Sequence, residues 1–177
     1  NALARHGVVM GLGLDEAGIN DGRDMLQEMR LALRMHRVPG FSEADVPTCA
    51  QVLRMATEHG AATTPFKGQI GRLAPGMFFD AVAIDLHAAT WPFQDDLVSP
   101  LDALLQRAKK EHVDTVYIGG TAVYAGGRFK HLDRNAVLTE IAGQLARPRS
   151  AAEESRKWLA SAVMPHVKAF YADYLPA

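Results

Sequence analysis

The residues best suited to chemistry lie near the start of the chain. Residues 8–15 read VVMGLGLD, an apolar run that passes two glycines and stops on Asp15. An acid in that place has two readings. It forms a turn or caps a helix, or it is a catalytic carboxylate held at the end of a buried strand. Gly11 and Gly13 let a ligand or neighbouring backbone come close. Glu16 follows directly, and Asn20 and Asp21 precede the next helix start. Asn20 suits a helix cap, and Glu16 a solvated position.

Other chemistry-bearing residues are scattered. The seven histidines, His6, His36, His59, His87, His112, His131 and His166, never fall at the short spacings that put two imidazoles on one metal. His59, just before Gly60, suits an interaction with a helix C-terminus. Asp24, Glu28 and Arg30 share a polar helix face, where opposite charges make surface pairs worth well under ~1 kcal/mol. The single cysteine, Cys49, excludes an intramolecular disulfide, reads as a small buried filler, and suits a reducing, cytoplasmic setting.

Composition narrows the class. The 177 residues are 48% hydrophobic and 22% charged with a net charge of −1, as expected for an ordinary soluble globular protein. The charges are dispersed and carry no basic excess, so no nucleic-acid partner is expected. No apolar run approaches the roughly 20 residues of a membrane span, and no membrane association is expected. The first residues lack the pattern of a signal peptide.

The elements that must position Asp15 follow from periodicity. Residues 8–14 predict a strand covered on both faces, as in a parallel sheet. Met25, Met29 and Leu33 recur every four residues and predict an amphipathic helix, more simply core than a binding surface. Thr48 and Gln51 have capping-box spacing for a second helix running to Gly60, a candidate C-cap. A short strand is expected at about 80–86, a loop at 87–100, and a short helix at 101–112. Glycine pairs at 119–120 and 126–127 predict a β-hairpin. Two helices close the chain. One follows Asp133 and buries Val137, Ile141 and Leu145. The other starts at Ser150 and carries Leu159, Val163, Val167 and Phe170 on one stripe, with a kink at Pro165. A lone parallel strand leaves both edges without neighbours, so the first residues read as the end of something larger.

Four segments in order resemble the C-terminal third to half of the amidohydrolase superfamily, nearest the cytosine deaminase, chlorohydrolase and methylthioadenosine deaminase branch. They are GLGLDEAGINDGRDMLQEMRLAL, VLRMATEHGA, GQIGRLAPGMFFDAVAIDL and VYIGGTAVYAGGRF, and the resemblance covers about residues 7–146. It implies an α/β fold: residues 1–66 as the last strand–helix unit of a metal-dependent (β/α)8 barrel, 67–130 as part of a small β-sandwich, and 131–177 as C-terminal helices. In the family, strand-end histidines and an Asp closing the eighth strand hold a divalent metal at the barrel's C-terminal face. Only the Asp has a counterpart here, Asp15. It would serve as metal ligand, and as general base and then acid. Asn20 would border the substrate.

The activity implied is metal-dependent hydrolysis at C–N bonds, most simply deamination of an aminated heterocycle such as a nucleobase-like or triazine-like ring. The alternatives are a chlorohydrolase or cyclic amidohydrolase, or a non-catalytic remnant or assembly module. Zinc is the expected ion, with iron second. A full barrel needs about 250 residues, so the other ligands are expected outside this chain, in an N-terminal barrel portion of the same gene or a separate chain. The chain is therefore read as a fragment or a split-enzyme half, inactive in isolation, and a homo-oligomer is expected for the whole. Two departures stand out. Phe79 replaces the usual Ala before Asp80, a matter of local packing. The Glu16–Asn20 loop differs more, and substrate identity does not carry over.

Overall fold

Asp24 opens the first long helix, α2 (Met25–Met35), by accepting a hydrogen bond from the Leu26 N–H at 2.9 Å. It follows α1, a single turn at Ala2–Arg5. The computed structural model describes residues 2–15, 22–37, 39–40, 42 and 45–172. They fall into two compact units, Asn1–His131 and Leu132–Ala177.

In the first unit, α2 buries Leu26, Met29 and Leu33 along the expected stripe. Helix α3 (Cys49–Arg54) begins with the full capping box. The Thr48 hydroxyl accepts from the Gln51 N–H, and the Gln51 side chain accepts from the Thr48 N–H at 2.8 Å. The helix widens into a π turn at Met55–His59 and ends in α4 (Gly60–Ala62). Next come β1 (Ala81–Ile84), α5 (Leu86–Thr90), α6 (Pro100–Arg107), a 3-10 turn at Lys110–His112, β2 (Val113–Ile118), β3 (Thr121–Ala125) and the two-residue β4 (Arg128–Phe129). The four strands form one antiparallel sheet in chain order, with Val82 opposite Val116, Val116 opposite Tyr124, and Tyr124 opposite Phe129.

The core sits among the helices. Leu26, Met29, Leu33, Cys49, Val52, Ala89, Leu105 and Ala108 form one buried cluster, with Ile84 packed against it from the sheet. Arg30 donates to the Ala108 carbonyl and Arg34 to Gln106 at 3.3 Å, so α2 is tied to the end of α6. The Asp80 carboxylate accepts from the Gly119 N–H at 2.7 Å, which fixes the hairpin turn. Phe79 packs its ring edge-on to Tyr117, with centroids 5.3 Å apart. Its consequence is local packing.

The second unit holds α7 (Arg134–Ala146) and α8 (Ala151–Ala172). Asp133 caps α7 by accepting from the Asn135 and Ala136 N–H groups. At the start of α8, Glu153 accepts from the Ser150 N–H and hydroxyl. These bonds hold the Glu153 carboxyl below its ordinary range, the backbone bond contributing most.

Several expectations are corrected. Residues 8–15 belong to no ladder among the described residues, and Val9 is 61% exposed. A strand needs neighbours for its backbone, and no described segment pairs with it. Gly60 is no C-cap; its φ of −58° is helical and the helix continues to Ala62. The stretch expected as a loop after Leu86 contains α5, capped by Asp85 but too short to show a period. Neither α7 nor α8 buries a residue, and Leu145 is 80% exposed, because two helices are too few to enclose a core.

Gly71 is the glycine this fold most requires. Its φ is +100°, and a Cβ there would lie 2.8 Å from the Ala61 Cβ and 3.1 Å from the Thr57 carbonyl. Gly71→Ala should therefore lower stability by about 1–3 kcal/mol. Urea unfolding measures it directly, and an unchanged midpoint would contradict this account.

Candidate functional site

The segment that ends in Asp15 is placed by the turn of helix it rests on. The Leu12 N–H donates to the Met55 carbonyl at 2.9 Å, and the Leu12 side chain packs on the helical core. The His59 Nδ1 lies 3.2 Å from the Met10 carbonyl. A carbonyl only accepts, so this contact assigns the proton to Nδ1. Between them, Gly11 meets the helix backbone: a Cβ there would stand 3.3 Å from the Gly60 Cα. Three consecutive residues thus touch one stretch of helix, residues 55–60.

Three positions further on, Asp15 is exposed and has a φ of +49°. It is the one non-glycine residue with positive φ among the described residues. Asp tolerates this left-handed conformation better than most residues, at a strain on the order of 1 kcal/mol. Its carboxylate caps no described helix, since Asp24 occupies the cap of α2. The site residue Asn20, and Glu16 with it, lie outside the described residues.

The histidines stand apart from one another. His36 ends α2, and His87 lies 5.6 Å from Trp91, centroid to centroid. The His112 Nδ1 accepts from the Lys109 N–H at 3.1 Å. His6, His131 and His166 are exposed. Among the described residues no three His, Cys, Asp or Glu side chains come together to hold a metal ion. No described helix is long and apolar enough to cross a membrane. The contact missed from sequence is that of His59, which was expected to serve its own helix end. Only the meeting of a Gly-x-Gly segment with a His-Gly pair hints at it.

Cys49 is buried, as its filler reading expects. Burial, and next its hydrogen bond to the Asp102 carboxylate, push its thiol from an ordinary 9.0 up to about 11. The same bond holds Asp102 below its usual range. An apolar cleft of about 620 Å³, lined by Met25, Leu26, Met29, Leu53, Val82 and Tyr117 among others, opens between α2, α3 and the sheet, away from Asp15.

Helices and sheet in this arrangement recur in solved hydrolases. An adenosine deaminase from Xanthomonas campestris with bound zinc is 28% identical, with a TM-score of 0.69 over 78% of this chain and 31% of that one. An atrazine chlorohydrolase from Arthrobacter aurescens complexed with zinc gives 0.69 over 79% and 30%; at 21% identity it speaks for the fold alone. The chain belongs to the amidohydrolase family, which it matches over residues 1–123. Among its relatives, a 5-methylthioadenosine/S-adenosylhomocysteine deaminase from Pelotomaculum thermopropionicum is 35% identical over 138 residues, 78% of this chain and 31% of that protein. An S-triazine hydrolase from Gordonia rubripertincta is 31% identical over 122 residues, 68% and 24%. The chain spans about a third or less of the length of these relatives.

The raised thiol gives a pH dependence. Above pH 9 the unfolded chain loses the Cys49 proton while the folded chain keeps it to about 11. The folded state then binds more protons, so stability is full below 9 and falls as pH rises from 9 towards 11. Cys49→Ala should remove that part of the decline, as urea unfolding at pH 8 and pH 10.5 will show. An identical decline in both proteins would refute it.

Proposed function

We propose that the chain is the C-terminal portion of a metal-dependent hydrolase that deaminates an aminated heterocycle, with Asp15 as its catalytic acid–base and metal ligand. In this reading residues 1–66 close a (β/α)8 barrel, 67–130 belong to a small β-sandwich, and 131–177 are terminal helices. The observation that carries it is Asp15 itself, a left-handed acid beyond an anchored apolar segment, inside the stretch that matches the amidohydrolase family.

The donor chemistry fits a divalent ion in part. An exposed carboxylate is a hard oxygen ligand suited to zinc, but zinc takes about four ligands. One carboxylate is not a site. The remaining ligands are assigned to an N-terminal barrel portion, in the same gene product or a separate chain. Zinc is favoured, since two of the similar structures hold it, with iron second. Such an ion, when bound, polarises the reacting group and lowers the pKa of water.

The work of this chain is proton transfer. Water adds to the ring carbon that carries the amine, and Asp15 takes the proton that water gives up. Asp15 then returns it to the amine nitrogen, the C–N bond breaks, and ammonia leaves. A segment held at Met10 and Leu12 keeps the carboxylate within reach of both atoms. Asn20 is proposed to border the substrate. The triazine hydrolase relative favours a second reading, loss of a different leaving group from a triazine-like ring at the same acid. The whole is proposed as a cytoplasmic homo-oligomer, consistent with one unpaired cysteine.

Asp15→Asn in the active assembly should lower ammonia release by about 10²–10⁴-fold. Full activity in that variant would remove Asp15 from the mechanism. The 177-residue chain alone should show no ammonia release and no tight stoichiometric metal binding by elemental analysis. Such binding would count against a shared site, and a wild-type assembly with neither metal nor hydrolysis would favour a non-catalytic module.

A further inference from the structure

The π turn at Met55–His59 is an unusual use of helix. Single π turns cost regular hydrogen bonding and concentrate at functional sites. Here the turn supplies the hydrogen bonds that hold the Asp15 segment at Met10 and Leu12. Its first residue accepts the Leu12 N–H through the Met55 carbonyl. Its last, His59, spends a side-chain donor on the Met10 carbonyl rather than on its own helix. The backbone of the following Gly60 is what Gly11 meets, where an added Cβ would stand 3.3 Å from the Gly60 Cα.

We infer that the π turn is a clamp that sets where Asp15 presents its carboxylate, with His59 as a positioning residue acting through the Met10 carbonyl. The inference rests on the reading of Asp15 as the acid. It adds that the acid's position is set by this helix as well as by whatever strand lies beside residues 8–14. The geometry explains why two contacts are needed. One hydrogen bond at Leu12 leaves the segment free to pivot. A second at Met10, on the other side of the Gly11 contact, fixes its direction and therefore the placement of Asp15 three residues beyond Leu12. A misplacement of about 1 Å is enough to cost on the order of 100-fold in rate.

Three variants test the clamp. His59→Leu removes the donor, His59→Asn keeps a donor close to the Nδ1 position, and Gly11→Ala inserts a methyl against the Gly60 backbone, which cannot swing aside as a side chain would. Hydrogen exchange of the Leu12 amide in the full chain reads the clamp without any activity. Protection should fall about tenfold or more in His59→Leu and Gly11→Ala and stay near wild type in His59→Asn. In the active assembly, kcat should fall about 10–100-fold in His59→Leu, with KM within about twofold, metal content unchanged, and recovery in His59→Asn.

Wild-type Leu12 protection in His59→Leu overturns the clamp, as does loss of activity that His59→Asn fails to restore. Loss of bound metal in His59→Leu also overturns it, since the whole site has then failed. The two readings separate cleanly. If Asp15→Asn is inactive while His59→Leu keeps full kcat, the clamp alone falls. If Asp15→Asn is fully active, the acid assignment falls and the clamp's catalytic role with it.

Discussion

The hydrogen bond from the Leu12 amide to the Met55 carbonyl, with the His59–Met10 contact beside it, joins two parts of the chain far apart in sequence. On one side lie residues 8–15, whose backbone forms no ladder among the described residues. On the other lies a helix anchored by a capping box at Thr48 and by the burial of Val52. An amide N–H in an apolar segment favours any fixed acceptor within reach. The Met55 carbonyl is that acceptor, because the turn it begins is wider than an α-helix. Gly11, which has no side chain to press on the Gly60 backbone, lets the two backbones come this close.

The rest of the first unit keeps that helix in place. Arg30 and Arg34 fasten α2 to the end of α6, and Leu105 of α6 is completely buried beside Val52 and Leu33. The sheet contributes through Ile84, which packs on the same cluster, while Asp80 and Phe79 hold the Gly119–Gly120 turn. Gly71 then lets the chain pass against Ala61 and Thr57, the back of the helix segment that carries Met55 and His59. The Gly71 contact thus lies behind the helix segment to which Met10 and Leu12 are hydrogen-bonded.

What could be read from the sequence was whatever is decided locally. Thr48 with Gln51 and Ser150 with Glu153 announce helix starts because their bonds span three residues. Gly119–Gly120 announces a hairpin because only positive φ closes it. The stripe of Met25, Met29 and Leu33 predicts its own burial in part: Met29 and Leu33 are covered, while Met25 only borders the core. Non-local facts were not legible. The π turn has no sequence period of its own. The role of Gly11 depends on a residue 49 positions away, Gly60. The stripes of α7 and α8 have the right period for burial, yet period states only which side chains share a face, not whether anything covers them. Asp15 was singled out by its place after an apolar run. Its left-handed backbone was not visible in residue types, since Asp adopts that region only under the constraint of its neighbours.

The exposed valines at the start of the apolar run complete the physical case for reading Asp15 as part of a larger site. Val8 and Val9 are β-branched and suited to a covered strand, yet both stand open to solvent. The helix side of the segment is satisfied at residues 10–12, whereas the hydrogen bond at the valine end runs only from the Val8 N–H to the Leu3 carbonyl of the neighbouring turn. An apolar run packed at one end and with its valine side chains exposed at the other has the form of a strand that lateral neighbours would cover. Strands laid beside it would bring their own ends level with Asp15, which is where an ion needing about four ligands could collect the rest. In the reading proposed for Asp15, the same neighbours that would satisfy the backbone of residues 8–14 would also complete the chemistry at residue 15.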